Sequence, residues 1–366
     1  MRLGVRECLV DGRRVAGDVV IEGSKIAAIG VPPAGERGLA VPGFIDVQVN
    51  GFGGIDFAAA DVDGYRTAGA AMAATGVTAY QPTYICLPEA QYEPALSVAS
   101  AAQRLDDAPR LLGVHLEGPF LSPDQPGAHD PANMRPPDLN VARTLLAAGP
   151  VTYTTVAPEL PGALELIDFF IDAGVTVALG HSDADAAAAA AGFDRGAGAV
   201  THLFNAQRRW RHRDPGIAGT ALIRDDVVIT VILDGHHLAA ETVELIRRCA
   251  AGRIVPITDA ISAAGRPDGE YWIGDRRVTV RSTVAALEDG TLAGSVLTMD
   301  QAVRNFVELG ATPEEALDGV ARVPATLLGR NELGVLAPGT PADIVVLDDG
   351  LRVTRTLVGG RELFSA

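Results

Sequence analysis

The sequence predicts a (β/α)8 TIM-like barrel with a small discontinuous β-sandwich domain drawn from both chain ends. Three observations lead there: eight short apolar runs that end in polar residues, helical patterns between several of them, and a middle section matching the roughly 250 residues such a barrel takes. Fully buried parallel strands have no solvent face, so they read as continuous apolar stretches and do not alternate.

In chain order the runs are 44–49, 77–83, 111–117, 152–157, 175–180, 198–202, 227–234 and 254–259. Amphipathic segments of helical length lie at 88–105, 161–173, 183–195 and 239–250; the alanine run 186–191 simply favours helix. A doubly wound sheet would need G-x-G-x-x-G after its first strand, and Gly51-Phe52-Gly53-Gly54 lacks that spacing. The ends read differently. Residues 1–43 carry short β-type runs broken by Gly12, Gly17 and Gly23, and the tail 331–366 repeats the style through 343–347, 352–358 and the Gly359-Gly360 turn. Together they form the small β domain, and 44–330 forms the barrel, with an inserted β-ribbon at about 270–292. Thr312-Pro313-Glu314-Glu315 is a capping box that opens a further helix.

Composition narrows the function classes. The chain has 366 residues, 48% hydrophobic and 21% charged, which suits a packed globular protein and excludes disorder. Its 30 basic and 46 acidic residues give a net charge of −16, a surface that repels nucleic-acid phosphates and anionic lipid. Neither nucleic acid nor membrane is an expected partner. Arg2, Arg6, Glu7 and Asp11 stand where a signal peptide needs its apolar core, so the expected location is the cytoplasm. Cys8, Cys86 and Cys249 lack any C-x-x-C pairing and are expected as buried thiols in a reducing compartment. One basic cluster, Arg208, Arg209, Arg211, His212 and Arg213, stands out against the acidic background as a candidate for handling a small anion.

Barrels of this kind place chemistry where strands end. The third run ends in His115-Leu116-Glu117, the fifth in Gly180-His181-Ser182, the sixth in Thr201-His202-Leu203, the seventh in Asp234-Gly235-His236-His237 and the eighth in Thr258-Asp259. Five of the seven histidines fall on these ends. A strand-end histidine is often a satisfied core or capping residue, and Asp259 could be a helix N-cap; their joint placement argues for more. Two neutral imidazoles and a carboxylate hold a divalent ion with an open position for water, which makes Glu117, His181 and His202 the candidate metal ligands. Asp259 is the candidate proton acceptor and donor for hydrolysis. Neither H-E-x-x-H nor G-x-S-x-G occurs, which sets aside a zincin helix and a serine nucleophile.

Longer motifs add a resemblance. Pro42 to Gly51 (PGFIDVQVNG), His115 to Phe120 (HLEGPF), Gly127 to Pro131 (GAHDP), Ala157-Pro158-Glu159, Gly180-His181-Ser182, Thr201 to Ala206 (THLFNA), Asp214-Pro215-Gly216, Asp234 to His237 (DGHH), Thr258-Asp259-Ala260 and Leu292 to Ser295 (LAGS) resemble the amidohydrolase superfamily. Within it they are most similar to the N-acetylglucosamine-6-phosphate deacetylases, over essentially the whole chain, and Pro341 to Leu347 is similar to the superfamily's closing β domain. The resemblance implies deacetylation of N-acetyl-D-glucosamine 6-phosphate to D-glucosamine 6-phosphate and acetate, in amino-sugar catabolism and cell-wall recycling. It makes Glu117, His181 and His202 metal ligands, Asp259 the catalytic aspartate and His129 the group touching the scissile acetamide. Arg213 and His237 become the phosphate pair, and Asn205, Ala206, Leu292, Ala293 and Gly294 line the sugar pocket. It also implies a homodimer, with part of the phosphate site supplied by the neighbouring subunit.

Two departures stand out. Many superfamily members carry His-x-His after the first strand and bind two metals; here Gln48 and Asn50 stand there, so one divalent ion is expected, zinc first, with Fe2+, Mn2+ or Co2+ as alternatives. Gln207 replaces the family's usual methionine. The competing readings are a deacetylase of another N-acyl amino-sugar phosphate such as the galactosamine epimer, a dipeptidase or cyclic-amide hydrolase, and a metal-free scaffold on the same fold.

Overall fold

Eight parallel strands close around one axis, and each is followed in sequence by a helix. In the computed structural model, which describes residues 1–366, the strands are β1 (Phe44–Val49), β2 (Val77–Tyr84), β3 (Val114–Glu117), β4 (Val151–Val156), β5 (Thr176–Leu179), β6 (Ala199–Val200), β7 (Val228–Ile232) and β8 (Ile254–Ile257). Neighbours in sequence are neighbours in the sheet from β1 to β8, and Arg110–Leu111 adds a short extra strand beside β2. Closure between β8 and β1 comes from a parallel bridge, Val49 to Ala260, with Asp259 N donating to Gln48 O at 2.9 Å and Asn50 N to Ala260 O at 2.8 Å.

Two strands differ from the sequence reading, for local reasons. The third run breaks at Gly113, whose φ of +130° is a glycine conformation and whose Cβ would sit 2.0 Å from Thr152 Oγ1. The sixth is only two residues long, because His202, Phe204 and Ala206 enter the left-handed region and carry the chain off the sheet. The helices follow as read, including Glu89–Ala102, Ala163–Asp172, Ala186–Asp194 and Ala240–Cys249, and the Thr312/Glu315 capping box is formed reciprocally. No helix is long and apolar enough to cross a membrane.

Both chain ends build the second unit. Its six-stranded sheet runs Arg13–Ala16, Val5–Val10, Arg37–Pro42, Ile344–Leu347, Val353–Val358, Arg361–Ser365, and a two-stranded sheet, Asp18–Glu22 with Lys25–Val31, packs against it. Val5, Cys8, Ile21, Ile26, Ile344 and Leu357 fill the space between. Arg110 ties this unit to the barrel through two hydrogen bonds to Asp343, at 2.7 and 3.0 Å. The segment read as a ribbon has three strands, Gly269–Ile273, Arg276–Arg281 and Val284–Ala286, and stands beside the barrel mouth. Cys8 and Cys86 are buried, but Cys249 is exposed: it lies in the last turn of its helix, off the buried stripe of Val243 and Ile246.

Candidate active site

Glu117 closes β3, and His181, His202 and Asp259 each lie two residues beyond the ends of β5, β6 and β8. The last three share a feature that strands forbid. Their φ angles are +45°, +30° and +46°, a left-handed backbone that costs of order 1–3 kcal/mol per non-glycine residue and persists where the surroundings over-determine it. The turn points all three side chains into the barrel mouth, where they line a cavity of about 250 Å³. No helix begins at Ala260, so Asp259 is not an N-cap.

The donor set is buried and tightly spaced. Glu117 Oε1 lies 2.9 Å from His202 Nε2 and 3.2 Å from His181 Nε2, and the two Nε2 atoms are 3.1 Å apart. The other ring nitrogens assign the tautomers. His181 Nδ1 faces Gln125 O at 3.1 Å and His202 Nδ1 faces Asn205 O at 3.2 Å; a carbonyl only accepts, so each Nδ1 carries the proton and each Nε2 presents a lone pair. Two lone pairs and a carboxylate oxygen converging on one point are a cation's coordination shell, and these residues fit a divalent ion.

His129 is the fourth group at this point. Glu117, His129 and His181 have ligating atoms within 4.8 Å of one another, so distance alone admits it as a ligand. Hydrogen bonding sorts it otherwise. Cys86 N donates to His129 Nδ1 at 3.2 Å, which makes Nδ1 an acceptor and leaves the proton on Nε2, 3.3 Å from Glu117 Oε2. His129 therefore offers an N–H where His181 and His202 offer lone pairs. Arg276 of the inserted sheet holds the His129 carbonyl at 3.2 Å.

The ionisation of these groups follows from burial and mutual charge. Burial pushes Glu117 up, but the facing imidazoles outweigh it and hold the carboxyl well below its usual range. Burial, followed by the neighbouring His129, lowers His181 to about 4. Burial also works against His202, yet the Glu117 carboxylate beside it more than offsets this and raises it. Asp259 is pushed up to about 6, by burial and then by the negative charge of Glu117. Positive charge is favoured at the point these groups share, which is what a cation held by Glu117, His181 and His202 would supply.

Gln48 and Asn50 fill the place of the missing histidines with N–H donors. Gln48 Nε2 spans both carboxylates, 2.8 Å from Glu117 Oε1 and 3.3 Å from Asp259 Oδ1, and Asn50 Nδ2 lies 2.7 Å from Asp259 Oδ1. Asp46 and Gln48 alternate with apolar residues in β1 and Asn50 continues the pattern just past its end, which could have marked them as facing the barrel interior. The contacts made by Cys86 N and Gln125 O are backbone contacts and have no signature in sequence.

The remaining candidates divide. His237, Asn205, Ala206, Leu292 and Gly294 line the cavity, joined by Ile85, Ile232, Ile273 and Thr291. His237 Nδ1 donates to Asp234 Oδ2 at 2.7 Å, which leaves Nε2 free for a ligand. Ala293 is fully buried behind the lining and does not reach the cavity. Arg213 is exposed and also lies outside it. Arg208 is neutralised by Asp183 and Asp214, each at 2.8 Å, so it is a structural cation. Gln207 is buried and makes no part of the cavity wall.

Comparisons with known proteins place the chain in a family. Residues 39–363 match the amidohydrolase family. The N-acetylgalactosamine-6-phosphate deacetylase of Escherichia coli O157:H7 is 38% identical over 328 residues, covering 88% of this chain and 87% of that protein. The N-acetylglucosamine-6-phosphate deacetylase of Mus musculus is 37% identical over 345 residues, covering 90% and 84%. A mutant of the N-acetyl-D-glucosamine-6-phosphate deacetylase of Mycobacterium smegmatis, solved in complex with N-acetyl-D-glucosamine 6-phosphate, superposes with a TM-score of 0.94 at 33% identity, covering 100% of this chain and 99% of that one.

Proposed function

Because the chain belongs to the amidohydrolase family, we propose that its cavity hydrolyses the acetamide of N-acetyl-D-glucosamine 6-phosphate, giving D-glucosamine 6-phosphate and acetate. The carrying observation is the meeting of Glu117 with two imidazole lone pairs at one point, with Asp259 tied to the same carboxylate through Gln48.

Glu117, His181 and His202 would hold one divalent ion, zinc first. When bound, the ion supplies Lewis acidity, polarising an amide carbonyl and making water acidic enough to attack near neutral pH. Gln48 and Asn50 turn N–H donors to the carboxylates where imidazole lone pairs would help hold a second ion, which supports a count of one. Asp259 takes a proton from the attacking water as the new C–O bond forms, then returns it to the sugar nitrogen as the C–N bond breaks. His129, with its proton on Nε2, donates to the carbonyl oxygen as negative charge develops there. His237, held by Asp234, binds the phosphate; this remote contact orients the acetamide.

Arg213 needs a different placement. It is exposed on the loop after β6 and does not line its own cavity, which fits a homodimer in which it completes the partner's phosphate site. A phosphorylated sugar does not cross membranes unaided, and this argues for work in the cytoplasm. The relative from Escherichia coli O157:H7 favours a second reading, the galactosamine epimer, at the same site and by the same chemistry.

Acetate release from both epimers, by chelated and by zinc-reconstituted protein, tests the proposal. Zinc-dependent release from the glucosamine substrate supports it. Release from the galactosamine epimer alone transfers the assignment, and no release from either at any metal loading rejects it.

A further inference from the structure

We propose that Gln207 is a positioning residue whose side-chain amide clamps the loop after β6 and thereby fixes the imidazole of His202. The inference rests on the metal-site reading given above. It starts from a loop that is poor at holding itself. Strand β6 ends at Val200, and within the next six residues His202, Phe204 and Ala206 adopt φ of +30°, +73° and +48° with no glycine among them. Such a backbone needs support from outside its own ladder.

Gln207 supplies it with both ends of one amide. Nε2 donates to Thr201 O at 2.9 Å, in the peptide immediately before His202, and Oε1 accepts from Phe204 N at 3.1 Å, two residues after it. The side chain is 5% exposed, so neither bond competes with bulk water. The loop is also pinned to its neighbour: Ser182 N donates to Ala206 O at 3.2 Å and Arg208 N to Ser182 O at 2.9 Å, beside His181. Because His202 Nδ1 is oriented by Asn205 O, inside the clamped segment, a slack loop would release the ring along with the backbone. A methionine at this position has no donor and only a weak acceptor, so it could make neither bond well.

The test compares the unaltered protein with Q207M and Q207E, using zinc alone as the probe. Zinc affinity is read by chelator competition, and hydrogen exchange of residues 201–208 is read on metal-free protein. In Q207M, zinc binding should weaken by up to about tenfold, less than the roughly 10- to 100-fold lost when a group bonded directly to a ligand is removed, because Gln207 acts through the backbone around His202. Loop amides should exchange about tenfold faster while the β1 to β5 amides do not change. Q207E keeps the acceptor for Phe204 N but sets a buried carboxylate oxygen against Thr201 O, so it should lose at least as much as Q207M. Faster exchange with unchanged zinc affinity overturns the positioning role, as does unchanged exchange. If the unaltered protein binds no divalent ion, the metal reading itself fails; the clamp is then decided by exchange alone, with acceleration supporting it and no change overturning it.

Discussion

Two buried carboxylates, Asp18 in the small β unit and Asp259 at the barrel mouth, are almost equally hidden from water, at 2% and 8% exposure, and are treated in opposite ways. Asp18 is saturated. One oxygen accepts from the backbone amides of Gly4, Val5 and Val19 at 2.7, 3.0 and 2.8 Å, and the other from Arg2 Nε at 3.0 Å. Burial pushes it up, but the Val5 amide, Arg2 and the other donors outweigh that and hold it below the usual carboxylate range. Asp259 has side-chain amides on one oxygen only, faces a second carboxylate, and sits on a left-handed backbone. One carboxylate serves the fold, and the other is pushed up to about 6, as the proposed proton carrier requires.

The sharpest way to separate them is Asp259→Asn. Turnover should fall by about 10²–10⁴-fold, the usual share of a positioned proton carrier, while the thermal midpoint holds or rises. The amide keeps an acceptor for Asn50 Nδ2 and removes a buried charge beside Glu117. A midpoint several degrees lower would show that the charge at Asp259 is structural, like that at Asp18. Metal removal should have an effect at least as large on turnover, but with a different effect on stability. Chelation should abolish acetate release and lower the midpoint, and zinc restored to about 100 times its Kd should return about 2.7 kcal/mol. A midpoint indifferent to zinc would remove the cation from Glu117, His181 and His202.

The same contrast shows what can be read from a sequence. Continuous apolar runs betrayed the barrel strands, because parallel strands buried on both sides have nothing else to be. Glu117, His181, His202 and Asp259 were legible because polar residues at the ends of such runs point to one mouth. The left-handed turns that aim three of them were not, since no glycine marks them. Gln48 and Asn50 were visible as a departure but not as donors, because a hydrogen-bond partner more than 60 residues away leaves no local trace. Arg213 was marked by the basic cluster and given its phosphate role by resemblance, and the fold puts it outside its own cavity.

Gly294→Ala attacks the mouth through its scaffold, with a smaller expected effect. At φ +57° an added Cβ would lie 2.6 Å from Asp259 O and 2.8 Å from Ile261 Cγ2. The backbone of Asp259 must then shift, and misplacing a reacting group by about 1 Å can cost roughly 10²-fold in rate. A fall in kcat of about 10- to 100-fold, with KM moved less, is expected. Unchanged kcat in a folded variant would mean that the Asp259 turn tolerates displacement.

Asp18→Asn should do the reverse, sparing kcat and lowering stability by about 1–3 kcal/mol, the loss expected when charge-assisted hydrogen bonds are weakened. Its signature is the dependence on pH. The folded carboxyl is held below its unfolded value of about 3.9, so in the window between the two the unfolded chain binds more protons and stability rises with pH. The contribution is complete above the unfolded value and is lost as pH falls through the folded one. The gap between the unaltered protein and the variant, read as thermal midpoints, should therefore be constant above about pH 5 and close below about pH 4. A gap that stays open in acid would mean that the Asp18 site is held by shape, with the amide serving as well as the charge, and the distinction between the two carboxylates would rest on Asp259 alone.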